Sequence, residues 1–126
     1  MFKPTKAFNG FSVNDLEQAK SFYQDTLGLT IGPSEMSTLD ITGPDGAHFM
    51  IYEKPNHSPA TYTTLNFLVQ DIEGAVADLK SRGVQFESYD FPDLKTDPDN
   101  IARGNGPTIA WFTDPAGNII SVIQEE

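Results

Sequence analysis

The sequence predicts an α+β protein built from two copies of one βαβββ unit, and three observations carry that reading. FSVNDLEQA (Phe11 to Ala19) reappears 56 residues later as FLVQDIEGA (Phe67 to Ala75), sharing Phe, Val, Asp, Glu and Ala, with Leu16 opposite Ile72. TGPDGAHFMIYEK (Thr42 to Lys54) is echoed by TDPAGNIISVIQE (Thr113 to Glu125) at an offset of 71, with Thr, Pro and Gly recurring ahead of an apolar run. The chain is 126 residues long, which suits one compact domain burying roughly two-thirds of its unfolded surface.

Each copy opens on a β-rich run, Lys6 to Val13 and Tyr62 to Val69. Asp15 and Asp71 follow, whose carboxylates can accept from the free N–H groups of a helix start. Leu16, Ala19, Phe22, Tyr23 and Leu27 fall on one helical stripe that ends at Gly28, and Ile72, Ala75, Val76 and Leu79 form another that ends at Gly83. An extended stretch and a hairpin follow each helix, with turns at Gly43-Pro44-Asp45-Gly46 and Asp114-Pro115-Ala116-Gly117-Asn118. The two modules cover about 6–54 and 62–125 of a single domain, 1–126, joined by the Pro-rich linker 55–61. The second copy is longer in its middle. The excess lies in Tyr89 to Pro107, a polar loop with three prolines, for which a binding lid and disorder are equal expectations.

Eight Lys and Arg against eighteen Asp and Glu leave a formal charge of −10, which repels phosphate backbones and anionic membrane surfaces. The expected partner is therefore a small molecule, with no nucleic acid and no membrane. The absence of cysteine excludes disulfides, zinc knuckles, iron–sulfur clusters and thiol nucleophiles, and two histidines cannot make a histidine-rich metal site. No apolar run follows Lys3 and Lys6 as in a leader, so the expected location is cytoplasmic. Gly104-Asn105-Gly106 leads into Pro107 and a strand rather than a helix start, so it is no phosphate loop, and no Gly-x-Ser-x-Gly elbow occurs.

SVNDLEQAKSFYQDTLGL, LVQDIEGAVADLKSRGV and WFTDPAGNIISVIQ together resemble the vicinal oxygen chelate superfamily of glyoxalase I, bleomycin-resistance proteins, fosfomycin-resistance enzymes and extradiol dioxygenases. The resemblance implies that the two βαβββ modules form an open cupped barrel and that the protein is a homodimer. It also implies four positions for a divalent metal, one on the first and one on the last strand of each unit. The first-strand ligand precedes the capping Asp by seven residues, which gives Phe8 and Thr64; the other lies four residues beyond the turn Gly, which gives Met50 and Ser121. None is an imidazole or carboxylate, so no metal and no cofactor are expected.

Strand alternation assigns to the cup face Phe8, Gly10 and Ser12; His48, Met50 and Tyr52; Thr64, Asn66 and Leu68; and Ile119, Ser121 and Ile123. This is an aromatic and apolar lining with a few neutral polar groups, among which Asn66 and Ser121 suit the orienting of a ligand. His48 is the titratable candidate on that face, as donor or general base, and His57 in the linker is a candidate for its rim. Trp111 offers a flat wall, and Arg103 a charge beside flexible glycines able to close on an anion.

The leading expectation is metal-free sequestration of an aromatic or cationic small molecule in the cup, without chemistry. The competing one is an enzyme of the same superfamily, lyase or dioxygenase-like, with unrecognised metal ligands or His48 as base. A dimer-building scaffold with no ligand is the third.

Overall fold

A computed structural model describes residues 1–32, 38–104 and 106–126, so Asn105 of the Gly-Asn-Gly run lies outside the described residues. The chain forms two compact units, Met1–Ser58 and Pro59–Glu126.

The first unit runs β1 (Asn9–Val13), α1 (Leu16–Lys20), β2 (Thr30–Gly32), β3 (Thr38–Thr42) and β4 (His48–Glu53). Its open sheet has the order β1-β4-β3-β2, with β1 parallel to β4 and the other pairs antiparallel. Burial alternates along β3 and β4 as the pleat requires. Leu39, Ile41, Phe49 and Ile51 are buried, and with Val13, Ala19 and Tyr23 they form the core on the side where α1 packs. Tyr23 is fully buried with its ring edge-on to Phe49.

Two expectations are corrected here. The first strand begins at Asn9, not Lys6. Its ladder with β4 starts at the Asn9–Phe49 pair, one position inside the start of β4 at His48. Phe8 therefore precedes the strand and is 61% exposed. The helix is also irregular, for it widens into a π-helical stretch over Ser21–Thr26, with Leu27 N–H donating to Phe22 C=O, before Gly28 turns the chain at φ 74°.

The second unit runs β5 (Thr63–Val69), α2 (Ile72–Ser81), β6 (Asp90–Phe91), β7 (Leu94–Lys95), β8 (Ile109–Thr113) and β9 (Ile119–Gln124). Its sheet order, β5-β9-β8 with β5 parallel to β9, matches β1-β4-β3 of the first unit. The strand equivalent to β2 is reduced to a bridge between Phe86 and Phe112, supported by Glu87 N–H donating to Trp111 C=O. The core is Ile72, Val76, Val84, Ile101, Ala110, Phe112, Ile120 and Val122.

The duplication extends to individual hydrogen bonds. Asp15 accepts from Gln18 N–H and Asp71 from Gly74 N–H, each at 3.1 Å. The first helical amide, Leu16 or Ile72, donates to the last residue of its unit's final strand, Glu53 or Gln124, each at 2.9 Å. A helix start has unpaired amides, and here a distant strand end satisfies one in both copies. The architecture is thus α+β with two βαβββ units, and no helix among the described residues is long and apolar enough to cross a membrane.

Candidate ligand-binding site

Among the described residues, the extra length of the second copy forms a hairpin and a turn that line a pocket. Asp90 and Phe91 pair with Lys95 and Leu94 across the short turn Pro92-Asp93, and Thr96 closes the hairpin by donating its N–H to Tyr89 C=O. Thr96 then bridges Ala102, and Ala102 bridges Ile109, with Ala102 N–H donating to Ile109 C=O at 2.8 Å and Ile109 N–H returning at 3.1 Å. A backbone ladder therefore leads from the hairpin onto β8. Between these strands the chain makes a tight turn organised by Asp97, whose Oδ1 accepts from the N–H groups of Asp99 and Ile101, each at 2.9 Å. Asn100 takes φ 70° in that turn, a conformation Asn tolerates, and Ile101 is buried beneath it.

The result is a pocket of about 390 Å³ lined by Pro92, Asp93, Leu94, Lys95, Ala102, Arg103, Pro107, Ile109 and Trp111. Its volume falls in the range of small-molecule sites, and its walls combine apolar side chains with charges at Asp93, Lys95 and Arg103. Trp111 is half-buried on the β8 face opposite the core residues Ala110 and Phe112. Tyr89 backs its ring edge-on, and burial together with the neighbouring Glu87 carboxylate raises the Tyr89 phenol above its ordinary value.

Trp111 and Arg103, named separately from the sequence, thus share one pocket. Arg103 does not stand ready for an anion, however. Its Nε donates to Asp97 Oδ2 at 2.9 Å and its Nη2 to Glu73 Oε2 at 2.8 Å, so two carboxylates already hold it. The Asp97 hydrogen bond first, and Glu73 with it, raises the guanidinium pKa still further, so that charge is permanent.

Elsewhere in the second unit, Asn66 and Ser121 pair across β5 and β9, with Ser121 Oγ donating to Asn66 Oδ1. Ser121 is fully buried, so its hydroxyl proton serves Asn66. Thr64 corrects the simple alternation. The pairing shifts between Thr63 and Leu65, leaving Thr64 as the extra residue of a bulge, and its Oγ1 donates to Ile119 C=O at 3.1 Å.

In the first unit, His48, Met50 and Tyr52 occupy the β4 face opposite the core residues Phe49 and Ile51. His48 Nδ1 lies 3.6 Å from Asp40 Oδ1, and Tyr52 is 38% exposed. His57 is half-buried, and its Nδ1 is 2.6 Å from Ser12 Oγ on β1.

Sequence and structure comparisons agree with this architecture. The family model described as "Glyoxalase/Bleomycin resistance protein/Dioxygenase superfamily" matches residues 8–122. The chain belongs to the glyoxalase/bleomycin resistance protein/dioxygenase superfamily. A comparison with curated proteins finds no significant match. Among solved structures, a bleomycin-binding protein complexed with bleomycin is 22% identical, with a TM-score of 0.71 over 98% of this chain and 100% of that one. An antibiotic-binding protein from Streptomyces sp. CB03234 is 22% identical, with a TM-score of 0.66 over 99% and 100%. A glyoxalase family protein from Enterococcus faecalis is 19% identical, with a TM-score of 0.67 over 97% of each chain. At these identities the likeness is one of fold.

The superfamily's enzymes imply a divalent metal, and the four implied positions do not fit one. Phe8 has no donor atom, Met50 offers only a thioether, the Thr64 hydroxyl is committed to Ile119 C=O, and the Ser121 hydroxyl to Asn66. Among the described residues no group of three or more His, Cys, Asp or Glu side chains is placed to hold a metal ion.

Proposed function

We propose that this superfamily member is a small-molecule binding protein that sequesters an aromatic or cationic ligand without a metal. The observation that carries the reading is the pocket of about 390 Å³ in which Trp111 forms one wall. A flat aromatic ring laid on the indole gains dispersion and buries apolar area on Leu94, Pro107 and Ile109, and a cationic ring adds attraction to the indole face. The net charge of −10 favours a cation over an anion at long range. Small-molecule binding by the bleomycin-binding and antibiotic-binding proteins of the same fold supports the reading. It includes a cytoplasmic homodimer. Phe8, Tyr52 and Leu68 are large exposed side chains of the kind a second copy covers, and sedimentation of the purified chain tests that part.

Trp111 is the sole tryptophan, so its emission reports on the pocket without mutation. Titration of the purified protein with a panel of flat cationic and neutral aromatics should give saturable quenching by at least one compound. That compound should also raise the melting temperature, in line with about 2.7 kcal/mol of stabilisation at one hundred times Kd. Failure of every compound to bind at millimolar concentration overturns the binding reading, and stoichiometric uptake of Mn, Fe, Ni or Zn overturns its metal-free part.

The second reading, an enzyme with His48 as base, draws on the Asp40 carboxylate 3.6 Å from His48 Nδ1, which is placed to orient the ring. It requires turnover that His48→Ala abolishes while the fold is retained.

A further inference from the structure

We infer that Arg103 is the centre of a latch that fixes the pocket wall, rather than a ligand contact, and that Glu73 and Asp97 are positioning residues for ligand binding. The inference rests on the small-molecule reading for its consequence and on geometry alone for the latch.

The wall that carries Ala102 and Arg103 is tied to the sheet through the Ala102–Ile109 pairing and closed on itself by the Asp97 turn. Its connection to α2 is made by side chains. Arg103 Nη2 reaches Glu73 Oε2 in the first turn of the helix, 30 positions back in sequence, while Nε of the same guanidinium holds Asp97 Oδ2. One planar cation thus spans two carboxylates on two elements, a task suited to the fixed fork of Arg. A weaker tie, Lys80 Nζ to Asp99 C=O at 3.3 Å, joins the same turn to a later turn of α2. Beyond Arg103, Gly104 and Gly106 have φ of 108° and 102°, and among the described residues nothing outside their chain neighbours lies within 4 Å of where a Cβ would stand. Pro107, beyond the two glycines, also lines the pocket.

The ion pairs are partly exposed, so salt screens them. An anionic ligand would have to displace a carboxylate from Arg103, whereas a neutral or cationic ring leaves the latch intact. Glu73 repeats Glu17, its counterpart in the first turn of α1, and Glu17 supplies a matched control for the loss of a helix-start charge.

The test uses the full chain and needs no ligand in its first arm. Acrylamide quenching of Trp111 is measured for wild type, Glu73→Gln, Arg103→Lys and Glu17→Gln at low and high NaCl, with circular dichroism confirming the fold of each. The expected result is that Glu73→Gln raises the quenching constant about twofold at low salt, to the value wild type reaches at high salt. Arg103→Lys should fall between them, and Glu17→Gln should match wild type. In the second arm the neutral probe N-phenyl-1-naphthylamine should bind Glu73→Gln several-fold more weakly than wild type at low salt, with the difference closing at high salt. Wild-type quenching in Glu73→Gln, or an equal change in Glu17→Gln, overturns the latch. If the quenching behaves as expected and no probe binds any variant, the small-molecule reading fails while the latch stands.

Discussion

Tyr89 stands edge-on to Trp111, with ring centroids 5.3 Å apart and planes at 86°. The pair joins the hairpin excursion to β8. Such a pair is worth about 0.5–1.5 kcal/mol beyond its buried area, so Tyr89→Leu should lower unfolding stability by about 1 kcal/mol in a urea titration and shift the emission of Trp111.

The same tyrosine should titrate late. Burial and Glu87 raise its pKa above 10.0, so its contribution to stability is fully present below about pH 10 and is lost as pH rises through the folded-state value. Absorbance of tyrosinate followed against pH should show a component above the ordinary tyrosine range, and Tyr89→Phe should remove it. A wild-type curve that superimposes on that of Tyr89→Phe after scaling for one tyrosine refutes the assignment.

Asp97 gives the opposite dependence at the acid end. Partial burial works to raise its carboxyl, but Arg103 and the amides of Ile101 and Asp99 outweigh it and hold the group below its usual value of 3.8. A depressed carboxyl contributes stability that is present above pH 3.8 and disappears as pH falls through the folded-state value. Wild type should therefore exceed Asp97→Asn in stability near pH 6, and the gap should close as pH falls below 3.8 through the folded-state value; a gap independent of pH contradicts the prediction.

The duplicated hairpin turns should differ in their tolerance of a side chain. Gly46 and Gly117 have φ of 85° and 87°, but a Cβ at Gly46 meets nothing within 4 Å, whereas one at Gly117 lies 3.1 Å from Pro59 Cγ and 3.3 Å from its Cβ. Gly46→Ala should cost about 1–2 kcal/mol for its dihedral alone, and Gly117→Ala should cost more. Thermal melts of the two variants decide this, and equal losses would show that Pro59 gives way.

Chelation provides a further check. Dialysis against EDTA should leave the melting temperature and the binding of any aromatic probe unchanged, as judged by calorimetry. A loss restored by added Mn, Ni or Zn would instead require ligands other than Phe8, Met50, Thr64 and Ser121.

Much of the fold was legible because the chain writes it twice. The recurrence of Asp15 as Asp71 and of the Thr42 turn as the Thr113 turn located both helices and both final hairpins. Strand limits were less legible, because they depend on where a partner strand begins. Phe8 lies outside β1 since the ladder with β4 starts only at the Asn9–Phe49 pair, and Thr64 leaves the alternation because β5 carries a bulge. Both are properties of a pair of strands, which one strand's sequence does not contain. The π-helical stretch at Ser21–Thr26 likewise leaves no trace in a stripe compatible with an ordinary helix.

The candidate site divides in the same way. Residue types alone settled that the four positions implied for a metal carry no imidazole or carboxylate, since coordination requires particular donor atoms wherever the chain folds. They also marked 89–107 as added length and Trp111 as a flat wall for a ligand. Only the tertiary structure decided that this length forms a pocket wall, that Tyr89 backs the indole and that Arg103 is held by Glu73, 30 residues away. The charge of Arg103 is visible in the sequence, but the carboxylates that claim it are brought to it by folding, because an ion pair is set by distance in space and not by separation along the chain.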